Sequence, residues 1–290
     1  MTYELGDNRY GKSRIRLVTV RRRAAEHDLR DLTVDVSLEG DFSAAHVAGD
    51  NARVIATDTM KNTVYALAKE HLVGPPEVFG LAVAGHFAAA PQVSMATVAI
   101  REHGWARIET PAGRAPDAFV RSGPATRLAI VTVGRPASVG PQASVEAGVE
   151  DLVVMKTTRS GFVGFERDAY TTLPEADDRI MATKVAATWG YGSAATRDGF
   201  DFDAAHARAL ERLLATFAEH VSPSVQASIW IMATAMLDAD PAIEWVRMVL
   251  PNLHHWTVDL GPFGLVNAGE VFVATSEPHG VIEATVRRPS

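Results

Sequence analysis

Leu32-Thr33-Val34-Asp35-Val36-Ser37-Leu38 alternates apolar and polar residues without a break, the period-two signature of a strand with one face on a core and the other in water. Upstream, Ile15 to Val20 is β-prone through Ile15, Leu17, Val18 and Val20, so the two stretches read as an antiparallel hairpin. Downstream the period changes. Val64, Leu67, Ala68, His71 and Leu72 within Met60 to Leu72 fall at helical spacing, and Pro75-Pro76 separates that helix from a second apolar one over Val78 to Phe87. Strand-like sequence returns at Gln92 to Glu109 and at Ala118 to Val133. The first half is therefore strand-strand-helix-helix-strand-strand and ends near Gly134.

The second half repeats that order. Leu152 to Thr158 and Arg179 to Tyr191 read as strands. Phe202 to His220 is an amphipathic helix through Leu210, Leu213, Leu214 and Phe217, and Ser222-Pro223 opens another through Leu237 by placing a hydroxyl before a proline. Glu244 to Leu260 and Glu270 to Arg287 are long and β-rich. The halves share an order of elements without residue identity, so the repeat is structural. We expect an α+β chain of two tandem modules, residues 1–140 and 141–290. Helices would cover one face of each sheet, and edge-to-edge pairing between halves and subunits would close an oligomeric barrel without free edges.

Composition narrows the function classes. The 290 residues are 47% hydrophobic and 22% charged, the balance of a folded globular chain. The net charge of -7 argues against non-specific attraction to nucleic acid or anionic membrane. Arg21-Arg22-Arg23 is a short exception, read as a solvated strand edge that discourages pairing with another sheet. With no cysteine there are no disulfides, thiolate metal sites or cysteine nucleophiles. Met1 to Tyr10 shows no signal peptide, no run is long enough to span a bilayer, and Arg287-Arg288-Pro289-Ser290 is not a peroxisomal tripeptide. A cytoplasmic, bacterial protein fits best.

Common catalytic motifs are missing: there is no Gly-rich phosphate loop, no Gly-x-Ser-x-Gly and no His-Glu-x-x-His, and Gly190-Tyr191-Gly192 lacks a third glycine. His254-His255 are the adjacent pair among ten histidines, and strand neighbours face opposite sides of a sheet, so no metal site is expected. Thr57 to Thr63 precedes the first helix; its ordinary reading is an N-cap, although polar groups at the positive end of a helix also suit an anionic ligand. Ser224-Val225-Gln226 opens a helix in the second half. The Gln226 amide can donate and accept, as a purine edge requires, though most such glutamines lie on the surface. Pro251 to Trp256 reads as a turn before a half-buried strand. Lys12 and Phe162, taken singly, read as a surface lysine and a core aromatic.

Together these segments resemble the uricase (urate oxidase) family, bacterial type. The order is Tyr10-Gly11-Lys12; Ala56-Thr57-Asp58-Thr59-Met60-Lys61-Asn62-Thr63-Val64-Tyr65; and Lys156-Thr157-Thr158-Arg159-Ser160-Gly161-Phe162-Val163-Gly164-Phe165. It continues through Arg167-Asp168-Ala169-Tyr170-Thr171-Thr172-Leu173, Asp178-Arg179-Ile180, Ser222-Pro223-Ser224-Val225-Gln226 and Leu250-Pro251-Asn252-Leu253-His254-His255. The resemblance spans nearly the whole chain and is weakest from His71 to Ser144; Trp256 stands where the family more often has phenylalanine or tyrosine.

The resemblance implies the tunnelling fold (T-fold), two modules per chain, in a homotetramer with active sites between subunits. It implies that Phe162 stacks on the urate ring, that Arg179 forks onto a carbonyl and ring nitrogen, and that Gln226 with the Val225 backbone N–H reads the opposite edge. Thr57 and Asp58 would come from a neighbouring subunit. Lys12, Thr57 and His254 would form a proton relay with Lys12 as base, and Asn252 with Thr57 would hold oxygen and then water. No cofactor is implied, because urate passes electrons directly to O2, its co-substrate. The expected products, in purine degradation, are 5-hydroxyisourate and hydrogen peroxide. Two other readings remain at this point: a T-fold enzyme acting on a pterin or another purine, whose cyclohydrolase members use zinc, and a non-catalytic urate-binding protein.

Overall fold

Strand alternation, helical periodicity and proline placement set most of the architecture. The computed structural model describes residues 3–134, 142–196 and 199–289. The expected boundary at residue 140 falls outside them, as do Met1, Thr2 and Ser290 of the two termini. The chain separates into two units, Met1–Gly148 with Gly190–Ala204, and Val149–Trp189 with Ala205–Ser290.

In the first unit β1 (Tyr10–Arg22) and β2 (His27–Gly40) form the expected hairpin, pairing Leu17 with Leu32 and Ile15 with Val34. They are followed by α1 (Ser43–Ala48), α2 (Thr57–His71), α3 (Pro76–Ala88), β3 (Val93–Thr110), β4 (Gly113–Gly134) and the start of β5 (Gln142–Lys156). The strand order is β1-β2-β3-β4-β5, with antiparallel pairing from β1 through β4. Alternation puts Leu32, Val34, Val36 and Leu38 on one buried face, against Met60 and Val64 of α2 and Phe79, Val83 and Phe87 of α3. Gly80 permits the close approach of α3: a Cβ there would lie 2.7 Å from the Val131 side chain. Pro76 sits at the first turn of α3, where its missing N–H costs nothing. The short helix α1, ended by left-handed Gly49, was not expected from the sequence.

The second unit holds the rest of β5, most of β6 (Met181–Tyr191) and of α4 (Phe202–Glu219), and all of α5 (Val225–Ala239), β7 (Ile243–Pro251), β8 (His254–Thr257), β9 (Phe272–Thr275) and β10 (Val281–Arg287). Its strand order is β5-β6-β7-β10, and β8 and β9 form a separate antiparallel pair. Ala205, Ala209, Leu213 and Phe217 make the buried stripe of α4, while Ile229, Met232 and Met236 make that of α5. Val246, Met248 and Leu250 of β7 are buried on the sheet side. Among the described residues no helix is long and apolar enough to cross a membrane.

Several boundaries differ from expectation. Strand β5 starts ten residues before Leu152, because Val145, Ala147 and Val149 alternate on a buried face that the intervening Glu146 and Gly148 disguise. Strand β6 begins at Met181, leaving Arg179 and Ile180 in the preceding loop. Helix α5 begins at Val225 with Ser224 as its N-cap, accepting from the Ala227 N–H at 3.1 Å; Ser222 and Pro223 lie outside it. The C-terminal strands are each broken in two. At Asn252 the backbone changes partners, donating to Gly280, and Leu253 donates to Ala182, so β7 cannot run on into β8.

Candidate active site

The site is built on the chain that leaves β5. Lys156, at the end of that strand, is buried, and its ammonium donates to the Phe217 carbonyl at 2.9 Å and to the His220 carbonyl. The Arg159 guanidinium donates to the Glu219 and Ala218 carbonyls at 2.9 and 2.6 Å. Two cations thus satisfy the unpaired carbonyls at the negative end of α4. Burial, and then the charge of Arg159, push the Lys156 ammonium below its ordinary range.

Anchored this way, Arg159 holds a left-handed φ of 60° that costs a non-glycine residue energy. Its carbonyl accepts from the Ser222 N–H at 2.9 Å, and the Gly161 N–H donates to the Ser222 carbonyl at 2.8 Å. Gly161 must be glycine, because a Cβ would lie 2.9 Å from the Asp177 carbonyl oxygen. The loop then closes on itself: Phe162 pairs with Ala176, and the Arg179 N–H donates to the Ser160 carbonyl at 2.7 Å. Asp178 locks the closure, accepting from the Thr158 hydroxyl at 2.5 Å and the Ser160 N–H at 3.2 Å. The Thr158 hydroxyl, followed by that N–H, holds the Asp178 carboxyl below the usual carboxylate range.

This loop places the Arg179 guanidinium over the Phe162 ring, 5.3 Å from its centre. Phe165 stacks on Phe162 with centroids 4.8 Å apart. On the facing wall Asn252 bridges to Thr183, and His254 stacks on Trp256 at 5.3 Å, their same-face positions following from strand alternation. These walls enclose a cleft of about 440 Å³, with Leu173, Ile180 and Phe272 adding apolar surface. Phe162, Arg179, Asn252 and His254 all line it.

The cleft is chemically incomplete by itself. Arg179 has a buried Nε without a hydrogen-bond partner and no carboxylate among the described residues; burial lowers its pKa. A half-buried guanidinium with an unpaired Nε suits an anion with planar acceptors. Burial, then the charges of Arg179, His279 and His255, hold the His254 imidazole below its ordinary range, so it is neutral near pH 7 and can take a proton. Among the described residues no three His, Asp or Glu side chains are grouped to hold a metal.

The remaining expected residues lie elsewhere. Val225 and Gln226 do not line the cleft. They begin α5, Val225 buried and Gln226 exposed, tied to the Phe162 loop through Ser222. The first N–H groups of a helix have no intrahelical acceptor, so the Val225 N–H is available to a ligand. Lys12, Thr57 and Asp58 belong to the first unit and do not line this cleft. Lys12 follows Gly11, whose missing side chain lets β1 meet β2: a Cβ would lie 1.9 Å from the Val36 carbonyl oxygen. Thr57 is the first residue of α2, not its cap; Ala56 holds the cap position with no side-chain bond, so that helix end stays open. Asp58 accepts from Lys61 and, at 2.9 Å, from Asn62. The Lys61 hydrogen bond, ahead of its charge, lowers the Asp58 pKa.

Sequence reasoning quoted Thr158 and Asp178 within matched segments without giving them a role. It also missed Phe272 and His279, which arrive through loop folding that no spacing rule encodes.

The chain is similar to known proteins over nearly its whole length. The family model described as Uricase matches residues 8–132 and 145–283. Uricase of Arthrobacter globiformis is 43% identical over 285 residues, covering 98% of this chain and 90% of the relative. Uricase of Dictyostelium discoideum is 37% identical, covering 97% and 96%. The crystal structure of the Arthrobacter globiformis uricase superposes with a TM-score of 0.91 at 42% identity, over 99% of this chain and 96% of that one.

Proposed function

The chain belongs to the uricase family and is a urate oxidase, an oxidoreductase, and from that premise we propose how its residues carry the reaction. Urate and O2, with water, become 5-hydroxyisourate and hydrogen peroxide: urate loses two electrons, O2 gains them, and water supplies the new hydroxyl. The electron-rich urate anion is itself the reductant, so the protein needs no cofactor and mainly positions reactants and moves protons.

One observation carries the assignment of the pocket: half-buried Arg179, with its Nε sequestered and no hydrogen-bond partner on it, sits over Phe162 in the cleft. Urate fits both features, a flat ring for stacking and planar oxygen and nitrogen acceptors for a forked donor. Gln226 and the Val225 N–H read the opposite edge. Asn252 with Thr57 holds O2, then water, above the ring. Lys12 removes a proton, passed through Thr57 and His254; the neutral state of His254 suits it to receive one.

The relay needs residues of the first unit as well as the second, and we propose that Thr57 and Asp58 are supplied by a neighbouring subunit. The assembly is a homotetramer of chains with two tandem T-fold modules, residues 1–140 and 141–290, whose sheets close edge to edge into a barrel. Its place is the cytoplasm, in purine degradation. The open N-terminus of α2 supports a place for Thr57 and Asp58 beside the urate anion, since its first N–H groups have no side-chain cap. Anaerobic titration with urate tests the pocket. Quenching of tryptophan fluorescence that disappears in Arg179→Gln is expected; equal affinity in that variant would contradict the assignment.

A further inference from the structure

The arginine run of β1 does more than blunt an edge. The face of β1 that carries buried Ile15 and Leu17 continues as Thr19 and Arg21, which reaches the end of α2, and Arg23 follows the strand. A second cleft of about 440 Å³ opens there, and into it converge Arg21, Arg30, Arg107 and Arg114 from four strands, with Arg23 from just beyond β1. Leu72 and Phe119 add apolar wall.

We propose that this cleft is an oxyanion site of the phosphate class, separate from the urate pocket and independent of the reading of that pocket. Four of its arginines have carboxylate partners: Arg23 with Asp28, Arg30 with Glu102, Arg107 with Glu26 and Arg114 with Glu109. Arg21 has none among the described residues. It donates to the Lys69 and Leu72 carbonyls at 3.4 and 3.1 Å, neutralising the end of α2 that would otherwise repel an anion. The cleft thus keeps a positive excess in a chain of net charge -7. Thr19, paired with Arg30 across the hairpin, lines the cleft with a buried hydroxyl that has no hydrogen-bond partner. An orphaned donor beside convergent guanidinium groups is satisfied by a tetrahedral oxyanion, whose oxygens accept from both. The phosphate group is either a free ion or borne by a nucleotide.

Calorimetric titration of the full chain with inorganic phosphate tests this. Binding should persist in Arg179→Gln, which removes the cation of the urate pocket. It should weaken about tenfold or more in the double variant Arg23→Gln/Arg114→Gln, whose side chains are 66% and 68% exposed and bear no core load. Thr19→Val should weaken it also, with urate turnover unchanged. Adenosine triphosphate in a parallel arm separates the sources: tighter binding than phosphate, lost in the same variants, identifies a nucleotide, and weaker binding identifies the free ion. No phosphate binding, or binding abolished by Arg179→Gln and untouched by the cleft variants, would overturn the proposal.

Discussion

The Arg179 guanidinium stands 5.3 Å from the centre of the Phe162 ring, and the Arg179 N–H closes the loop between them on the Ser160 carbonyl at 2.7 Å. Cation and ring are therefore fixed before any ligand arrives, and binding does not have to order them. Arg179→Lys keeps the charge but loses the planar fork. Steady-state kinetics should show KM for urate raised about tenfold, with a smaller effect on kcat. An unchanged KM would remove Arg179 from substrate contact.

Lys12 and Thr57 lie on a strand and a helix of the first unit and do not line the cleft of Arg179 and Phe162. If they complete the relay, Lys12→Met and Thr57→Ala should each lower kcat by about a hundredfold or more, with the same sedimentation behaviour as the parent. Near-normal turnover in both variants would dismiss the relay. Gly11→Ala should also fail, because its Cβ collides with the Val36 carbonyl and displaces Lys12.

Much of this was legible in the sequence, for physical reasons that differ by element. Strand β2 shows its alternation directly because one face is buried and the other is not. Helix α3 announces itself by Pro76 and an apolar run. Phe162, Arg179, Asn252 and His254, recognised through ordered motifs, do meet in one cleft. What stayed hidden depends on long-range closure. The break at Asn252 is set by hydrogen bonds to Gly280 and Ala182, and the cap of α2 is an alanine that no capping rule selects. The arginine run at the end of β1 reads as a solvated edge, and spacing gives no sign that Arg107 and Arg114, distant in sequence, share a cleft with Arg21 and Arg23.

Stability should fall in mild acid through the histidines. Burial is the leading cause that holds His103, His220 and His254 below the ordinary 6.5. The unfolded chain then binds more protons below that value, so their contribution is lost as pH falls through it, and they contribute no slope well above it. His220 has Nδ1 on the Thr216 carbonyl at 2.7 Å and Nε2 2.8 Å from the Ser228 hydroxyl, and burial is the leading cause that lowers its pKa. Thermal melts from pH 7.5 to 5.5 should show a shallower acid loss in His220→Gln than in the parent. An identical slope would contradict this.

Glu77 acts with the opposite sign. It is fully buried, and burial pushes its carboxyl from 4.5 up to about 7, although Arg127 stands 2.8 Å away and pulls it down. Its contribution is complete below the ordinary carboxylate range and is lost as pH rises through about 7. Glu77→Gln should therefore gain relative to the parent between pH 5.5 and pH 8. Glu77→Ala, which strips Arg127 of a buried partner, should cost ~3 kcal/mol in chemical denaturation. Equal pH profiles for Glu77→Gln and the parent would show that Glu77 titrates normally.

The most direct test of the catalytic reading is urate disappearance, followed by ultraviolet absorbance, recorded together with oxygen uptake on protein pre-treated with a strong chelator. Equimolar loss of urate and O2, at a rate the chelator leaves unchanged, is the expected result. Urate bound without oxygen uptake, or activity abolished by the chelator, would contradict a cofactor-free oxidation in this cleft.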